Sequence, residues 1–246
     1  MIRQNSRDCG DDRLMDFDLA QVAKEAGVKR PEVELRPIEP RNGTEDDYLR
    51  ILRVTLAETA TFVRNGIIPA ANNERQFIVI RDAAGDRLDQ MFVALRRLLE
   101  HLYGVSEMMV REILDLAAER HTADWKQRVR SAIGIDVGAI ISRHDLTDLM
   151  SLAAQRNASL IKSLSEDVVK RVEQTTLENL TQGGTAKDLR KRLTKEFGVL
   201  DSRAKTIARD QTAKLTSDLT RFRQEQAGID RYKWSSSRDE RVRSTH

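Results

Sequence analysis

Apolar residues recur along most of this chain every three or four positions, the spacing of helices with one buried face. Leu49, Leu52, Leu56, Ala60 and Val63 form one such stripe. Leu88, Met91, Phe92, Leu95, Leu98, Leu99 and Leu102 form the strongest one in the N-terminal half. A third runs Leu146, Leu149, Met150, Ala153, Leu160, Ile161, Leu164, Val168 and Val172, continuing towards Leu180. A fourth runs Ala204, Ile207, Ala208, Gln211, Leu215, Leu219 and Phe222.

Glycines and polar caps punctuate the stripes. A short helix is expected from Leu14 to Ala26, ended by Gly27. Pro31, Pro37 and Pro40, with Asn42-Gly43, predict an extended linker or arm that lies along another subunit or is plain connection. Thr44 and Asp47 resemble a capping box, and Gly66 is a natural stop. Phe77 to Ile80 reads as a strand or a buried helical turn. Gly104 is expected to break the second stripe, with further helices from Ser106 to Arg120 and from Asp124 to Ile133 packed as hairpins. Asp145 is placed to cap the third stripe, a span expected to break near Asn157 or Ser165 if it breaks at all. Gly183-Gly184 ends it. Thr185 with Asp188 starts a helix that stops at Gly198; Asp201 or Ser202 opens another that closes at Gly228. Tyr232 and Trp234 then alternate with Arg231 and Lys233, which reads as a strand. The expected fold is mainly α: an elongated multi-helix assembly with helical hairpins and a small C-terminal β element. Its parts are a tail and arm (1–43), a helical domain (44–144) and a C-terminal domain (145–246).

Composition fits helices with broad solvated faces. Of 246 residues, 33% are charged and only 4% aromatic. Cys9 is the one cysteine, which speaks for a reducing compartment, and no apolar run suggests a signal peptide or membrane span. The net charge of +3 is unevenly spread: Lys187 to Arg243 holds 16 Lys+Arg against 9 Asp+Glu. That segment suits a polyanion, although a solvated helix surface explains the charge as well. Lys187, Arg190, Lys191, Arg192, Lys195, Arg203, Lys205 and Arg209 are the candidate nucleic-acid contacts.

Catalytic and cofactor signatures are missing from the sequence. Gly183-Gly184 is followed by no Gly-Lys-Ser/Thr, no Gly-x-Ser-x-Gly occurs, and His101, His121 and His144 have no histidine or cysteine four residues on to make a metal pair. Trp234, Asp239, Arg241, Arg243 and His246 fall within thirteen residues. Asp, Arg and His are capable of acid/base or phosphate chemistry, but they also form structural hydrogen-bond networks, and without a second carboxylate or a metal set the structural reading is preferred. No enzyme activity and no cofactor are expected.

The order of several short motifs resembles the Mu-type head-morphogenesis (minor head, minor capsid) proteins of tailed bacteriophages. The resemblance rests on Asn157 to Ile161, Gly183 to Leu189, Arg203 to Thr212, Ala227 to Ile229, and Tyr232 to Trp234 through Asp239 to Arg243 and His246, with a weaker echo at Ile133 to Asp136. On this resemblance Asn157, Ile161, Arg209, Trp234, Asp239, Arg241, Arg243 and His246 are structural motif positions. Two departures stand out. The family usually has Ala-Arg-Thr-Glu where this chain has Ala208 to Gln211, and it usually runs on beyond the histidine, leaving the strand from Tyr232 without its hairpin partner here. The resemblance implies a virion component in the capsid interior at the portal vertex, present in host cytoplasm during assembly. Its partners would be the portal protein or the major capsid protein, with packaged double-stranded DNA as a further contact. It would occur in multiple copies per virion and assist head assembly and DNA packaging or ejection. The alternatives are a non-specific DNA-binding protein using residues 187–243, and, further off, a hydrolase or nuclease.

Overall fold

Continuous burial stripes turn the predicted short helices into long rods. The computed structural model describes residues 17–29, 33–77, 85–141 and 146–229, without the side chains of 75–77 and 85–86. In chain order the helices are α1 (Leu19–Glu25), α2 (Asn42–Phe62), a π-helical turn (Val63–Ile67), α3 (Ile68–Phe77), α4 (Gly85–Ile133), α5 (Thr147–Thr181) and α6 (Ala186–Gln226). The described residues contain no strand. Ile78 to Ile80, Asp145 and the expected strand at Tyr232 to Trp234 lie outside them.

Helices α4, α5 and α6 have 49, 35 and 41 residues, or about 74, 53 and 62 Å at 1.5 Å per residue. Helix α4 packs along α5, α5 along α6, and α2 against both α4 and α6, closing a four-helix bundle. One core runs through it, from Tyr48 and Leu52 through Leu95, Leu114 and Ile161 to Leu200, Leu215 and Leu219. Residues on both sides of position 144/145 share this core. Each large apolar side chain buried there contributes about 1.5–3 kcal/mol. Two buried polar pairs set register. Tyr48 Oη donates to Asn157 Oδ1 at 2.6 Å, while Asn157 Nδ2 donates to the Ala153 carbonyl at 2.7 Å. The Thr55 and Ser106 hydroxyls pair at 2.8 Å.

These contacts correct several expected boundaries. Gly104 does not end a helix. It is exposed, and the stripe of Leu95, Leu99, Ser106, Val110, Leu114 and Ala118 continues across it in phase. A mid-helix glycine costs about 1 kcal/mol relative to alanine, less than the burial it would interrupt. Ser106 is therefore a core position bonded to α2, not a cap, and residues 85–133 form one rod instead of hairpins. Gly198 is carried through in the same way by Leu193, Leu200 and Ala204, so neither Asp201 nor Ser202 opens a helix. Helix α5 passes Asn157 and Ser165 unbroken. Thr44 is buried inside α2, which begins at Asn42 without a side-chain cap, so there is no capping box and Asn42-Gly43 is not linker. At Gly66 the chain widens into the π-turn, where the Ile68 N–H reaches the Val63 carbonyl. Pro69 follows directly; it has no N–H to offer the helix, and the wider turn accommodates it.

Gly27, Gly183 and Gly228 do stop helices, each at positive φ. All three close the same paired bonds: Gly27 N–H to Lys24 and Val28 N–H to Ala23, Gly183 to Leu180 and Gly184 to Asn179, Gly228 to Glu225 and Ile229 to Gln224.

A second, smaller core sits where α4 and α6 end. Leu19, Trp125, Val129, Val137, Ile141 and Ala227 are buried there, with Phe17, Leu35, Ile38 and Ile229 packed around them. The Phe17 and Leu19 N–H groups donate to the Gln226 and Ala227 carbonyls, both at 3.1 Å. The arm lies on its own chain: Arg128 Nη1 donates to the Arg36 and Pro37 carbonyls, and Arg41 pairs with Asp124 at 2.6 Å.

Candidate nucleic-acid interface

The α5–α6 turn is built by local chemistry. Gly183 takes φ of 67°, and a Cβ on Gly184 would stand 2.3 Å from Asn179 Oδ1, so a side chain there forces the buried Asn179 aside. Thr185 and Asp188 then close a full capping box, the expected one. Bonds from the Thr185 hydroxyl and backbone hold the Asp188 carboxyl below the usual carboxylate range.

Directly behind this cap, Lys187, Arg190, Lys191, Arg192 and Lys195 are all exposed. Lys187, Lys191 and Lys195 repeat every four residues and share one helix face along about 12 Å. Among the described residues no salt bridge engages Lys187, Arg190, Lys191, Lys195 or Lys205. Arg192 reaches back to Gln182 across the turn.

Further along α6 the candidate cations separate. Arg203 donates to Asp167 at 2.6 Å and to Ser163 at 2.9 Å on α5, and Arg171 bridges the same Asp167 to Glu196 on α6. Burial pushes the Asp167 carboxyl up, but the bonds from Arg203 and Arg171 outweigh it and hold it low. Arg203 is thus a staple between helices. Arg209 is exposed beside Asp210, and Lys205 is exposed. Gln211, where the resemblance would place a glutamate, is buried and accepts from Arg156 Nε at 3.0 Å; Asp218 supplies the carboxylate for that arginine at 3.3 Å. Position 211 therefore serves helix pairing. Asn157 and Ile161 are core residues. Trp234, Asp239, Arg241, Arg243 and His246 lie outside the described residues.

In the sequence, residues 187–243 form one basic segment. In the structure its first five cations stand exposed at the start of α6, and its residues 230–243 lie outside the described residues. Sequence reasoning also missed Tyr48 as the partner of Asn157, and Arg156 and Arg53 as anchors for α6. Arg53 grips Asp201 through Nε at 2.7 Å and Nη2 at 2.9 Å, holding its carboxyl below the usual range. Such pairs are 55 to 148 residues apart in the chain, where spacing carries no signal. No cluster of metal-ligand side chains occurs among the described residues, and none of their helices is long and apolar enough to cross a membrane.

Two of three comparisons with known proteins find a match. A protein of Haemophilus influenzae described as uncharacterized is 34% identical over 131 residues, covering 52% of this chain. The chain spans only 29% of that relative's length. No solved structure matches the chain. The model of the Phage Mu protein F like family matches residues 170–246, which take in the end of α5, the capped turn and all of α6. Over residues 170–246 this chain is thus similar to the Phage Mu protein F like proteins, which supports a Mu-type head-morphogenesis family.

Proposed function

We propose that the protein is a minor capsid component of a tailed phage that assists head assembly at the portal vertex. The observation that carries this reading is the family match over residues 170–246. The bundle supports it as a rigid, charged scaffold, held together across helices by ion pairs such as Arg53–Asp201 and Arg203–Asp167. Its partners in this reading are the portal protein or the major capsid protein, it acts in DNA packaging or ejection, and its role is assembly, not catalysis. Co-expression with the portal protein of the same phage and co-purification tests it: a stable complex is expected, and a portal that purifies without this chain counts against it.

A second reading has its own observation. The five exposed cations behind the α5–α6 turn form a surface for sequence-independent phosphate contacts. Binding to random duplex DNA should be measurable at about 50 mM salt and weaken by about 0.9 log units per log unit of salt for each phosphate neutralised. Reversing Lys187, Lys191 and Lys195 to Glu should abolish it; undetectable binding by the unaltered protein ends this reading.

A further inference from the structure

Under the arm, between α4 and α6, lies a cavity of about 20 Å³ lined by Ile38, Glu39, Arg41, His121, Asp124 and Thr212, among others. A cavity needs about 10–15 Å³ to hold one water molecule. Two side chains in its wall are almost fully buried, His121 at 5% and Thr212 at 3% exposure. His121 Nδ1 and Thr212 Oγ1 have no hydrogen-bond partner in the protein.

The neighbouring bonds fix what each atom requires. The Thr220 hydroxyl donates its hydrogen to the Thr216 carbonyl at 2.8 Å. It must then accept at its other contact, with His121 Nε2 at 2.9 Å, so Nε2 carries the proton. In a neutral imidazole this leaves Nδ1 as a bare acceptor. Burial and the nearby Arg223 guanidinium keep His121 neutral at pH 7. An occupant that hydrogen-bonds Nδ1 must therefore donate to it, which a fully ionised anion cannot do. Arg41 and the carboxylates of Glu39 and Asp124 line the same cavity, so its wall carries both signs of charge, and its volume suits a single small neutral donor. Thr212 Oγ1 accepts or donates as required.

We propose that this cavity is a dedicated site for one water molecule, which donates to His121 Nδ1 and bonds Thr212 Oγ1, joining α4 to α6 beneath the arm. Left without it, both atoms would be buried polar groups with unmet hydrogen-bonding capacity. The sign of one substitution decides the matter. Thr212→Val keeps the shape and removes the hydroxyl. With the water in place, the change breaks a hydrogen bond and Tm falls by about 2–4 °C. In a dry cavity it removes a buried unsatisfied hydroxyl and Tm rises, which overturns the proposal. Thr212→Ser, which keeps the hydroxyl, should melt closer to the unaltered protein than Thr212→Val; the reverse order also overturns it. In the unaltered full chain, nitrogen NMR should show His121 as the Nε2–H form with a hydrogen-bonded Nδ1, together with cross-relaxation between Thr212 and a long-lived water. A free Nδ1 signal, or no such water, contradicts the site whatever the variants do.

Discussion

At the α5–α6 turn, five cations within nine residues stand in solvent, and the helix that bears them is started by a capping box and a glycine pair. At the far end of the same helix, Arg223 is fully buried, donating to Gln226 Oε1 at 2.7 Å and to Thr122 Oγ1 at 3.3 Å, with the Phe222 ring 5.7 Å away. There the segment before α1, the arm, the end of α4 and the end of α6 meet around Trp125. One end leaves its charges in solvent; the other uses polar groups to hold chain segments together. The described part of this basic segment therefore does different work at the two ends of α6, and the family match runs through both.

The largest single effect is expected at the small core. Trp125→Ala removes a side chain that is 4% exposed and should destabilise the protein by about 3–5 kcal/mol. A matching loss in calorimetry means that this end unfolds together with the bundle. An unchanged main transition with a new low-temperature one would mean that it is a separate cooperative unit.

Acid should act at the same end. Burial, aided by Arg223, depresses the His121 pKa from 6.5 to about 4. The unfolded chain therefore takes up this proton first as pH falls. The contribution is complete above about pH 6.5 and is lost between there and about pH 4, by about 3 kcal/mol. Thermal melts of His121→Gln should lack this component of the pH dependence; an identical profile would show that His121 is not its source.

At the basic end the effects are smaller. Gly184→Ala should cost about 1–2 kcal/mol, because Asn179 must leave its place beside the turn. Chemical denaturation measures it, and no loss would mean that Asn179 moves freely. Reversing Lys187, Lys191 and Lys195 should change stability by less than about 0.5 kcal/mol while removing DNA binding. A large loss of stability would mean that these cations hold the fold instead of facing a partner.

Much of this architecture was legible in the residues. The helical stripes, the extended chain at Pro37 and Pro40, the stops at Gly27, Gly183 and Gly228 and the Thr185–Asp188 box all follow from local chemistry, and the structure has them. What misled were Gly104 and Gly198, because whether a glycine stops a helix depends on the burial on either side. At Ser106 that burial is polar and becomes intelligible only with Thr55 opposite. Thr44 looked like a cap because its hydroxyl suits one; its burial between helices was not visible locally. Of the candidate site, exposure at Lys187 to Lys195 agrees with the charge pattern, whereas the pairing of Arg203 with Asp167 depends on a neighbour 36 residues away.

The proposed assembly role requires that this chain be built into the head at the portal vertex. Electron cryomicroscopy of purified proheads, without imposed symmetry and combined with quantitative mass spectrometry, tests it most directly. The chain is expected in multiple copies per particle, with density for the four-helix bundle against the inner surface of the portal vertex. Proheads and mature heads that assemble and package DNA with no copy of the chain would contradict it.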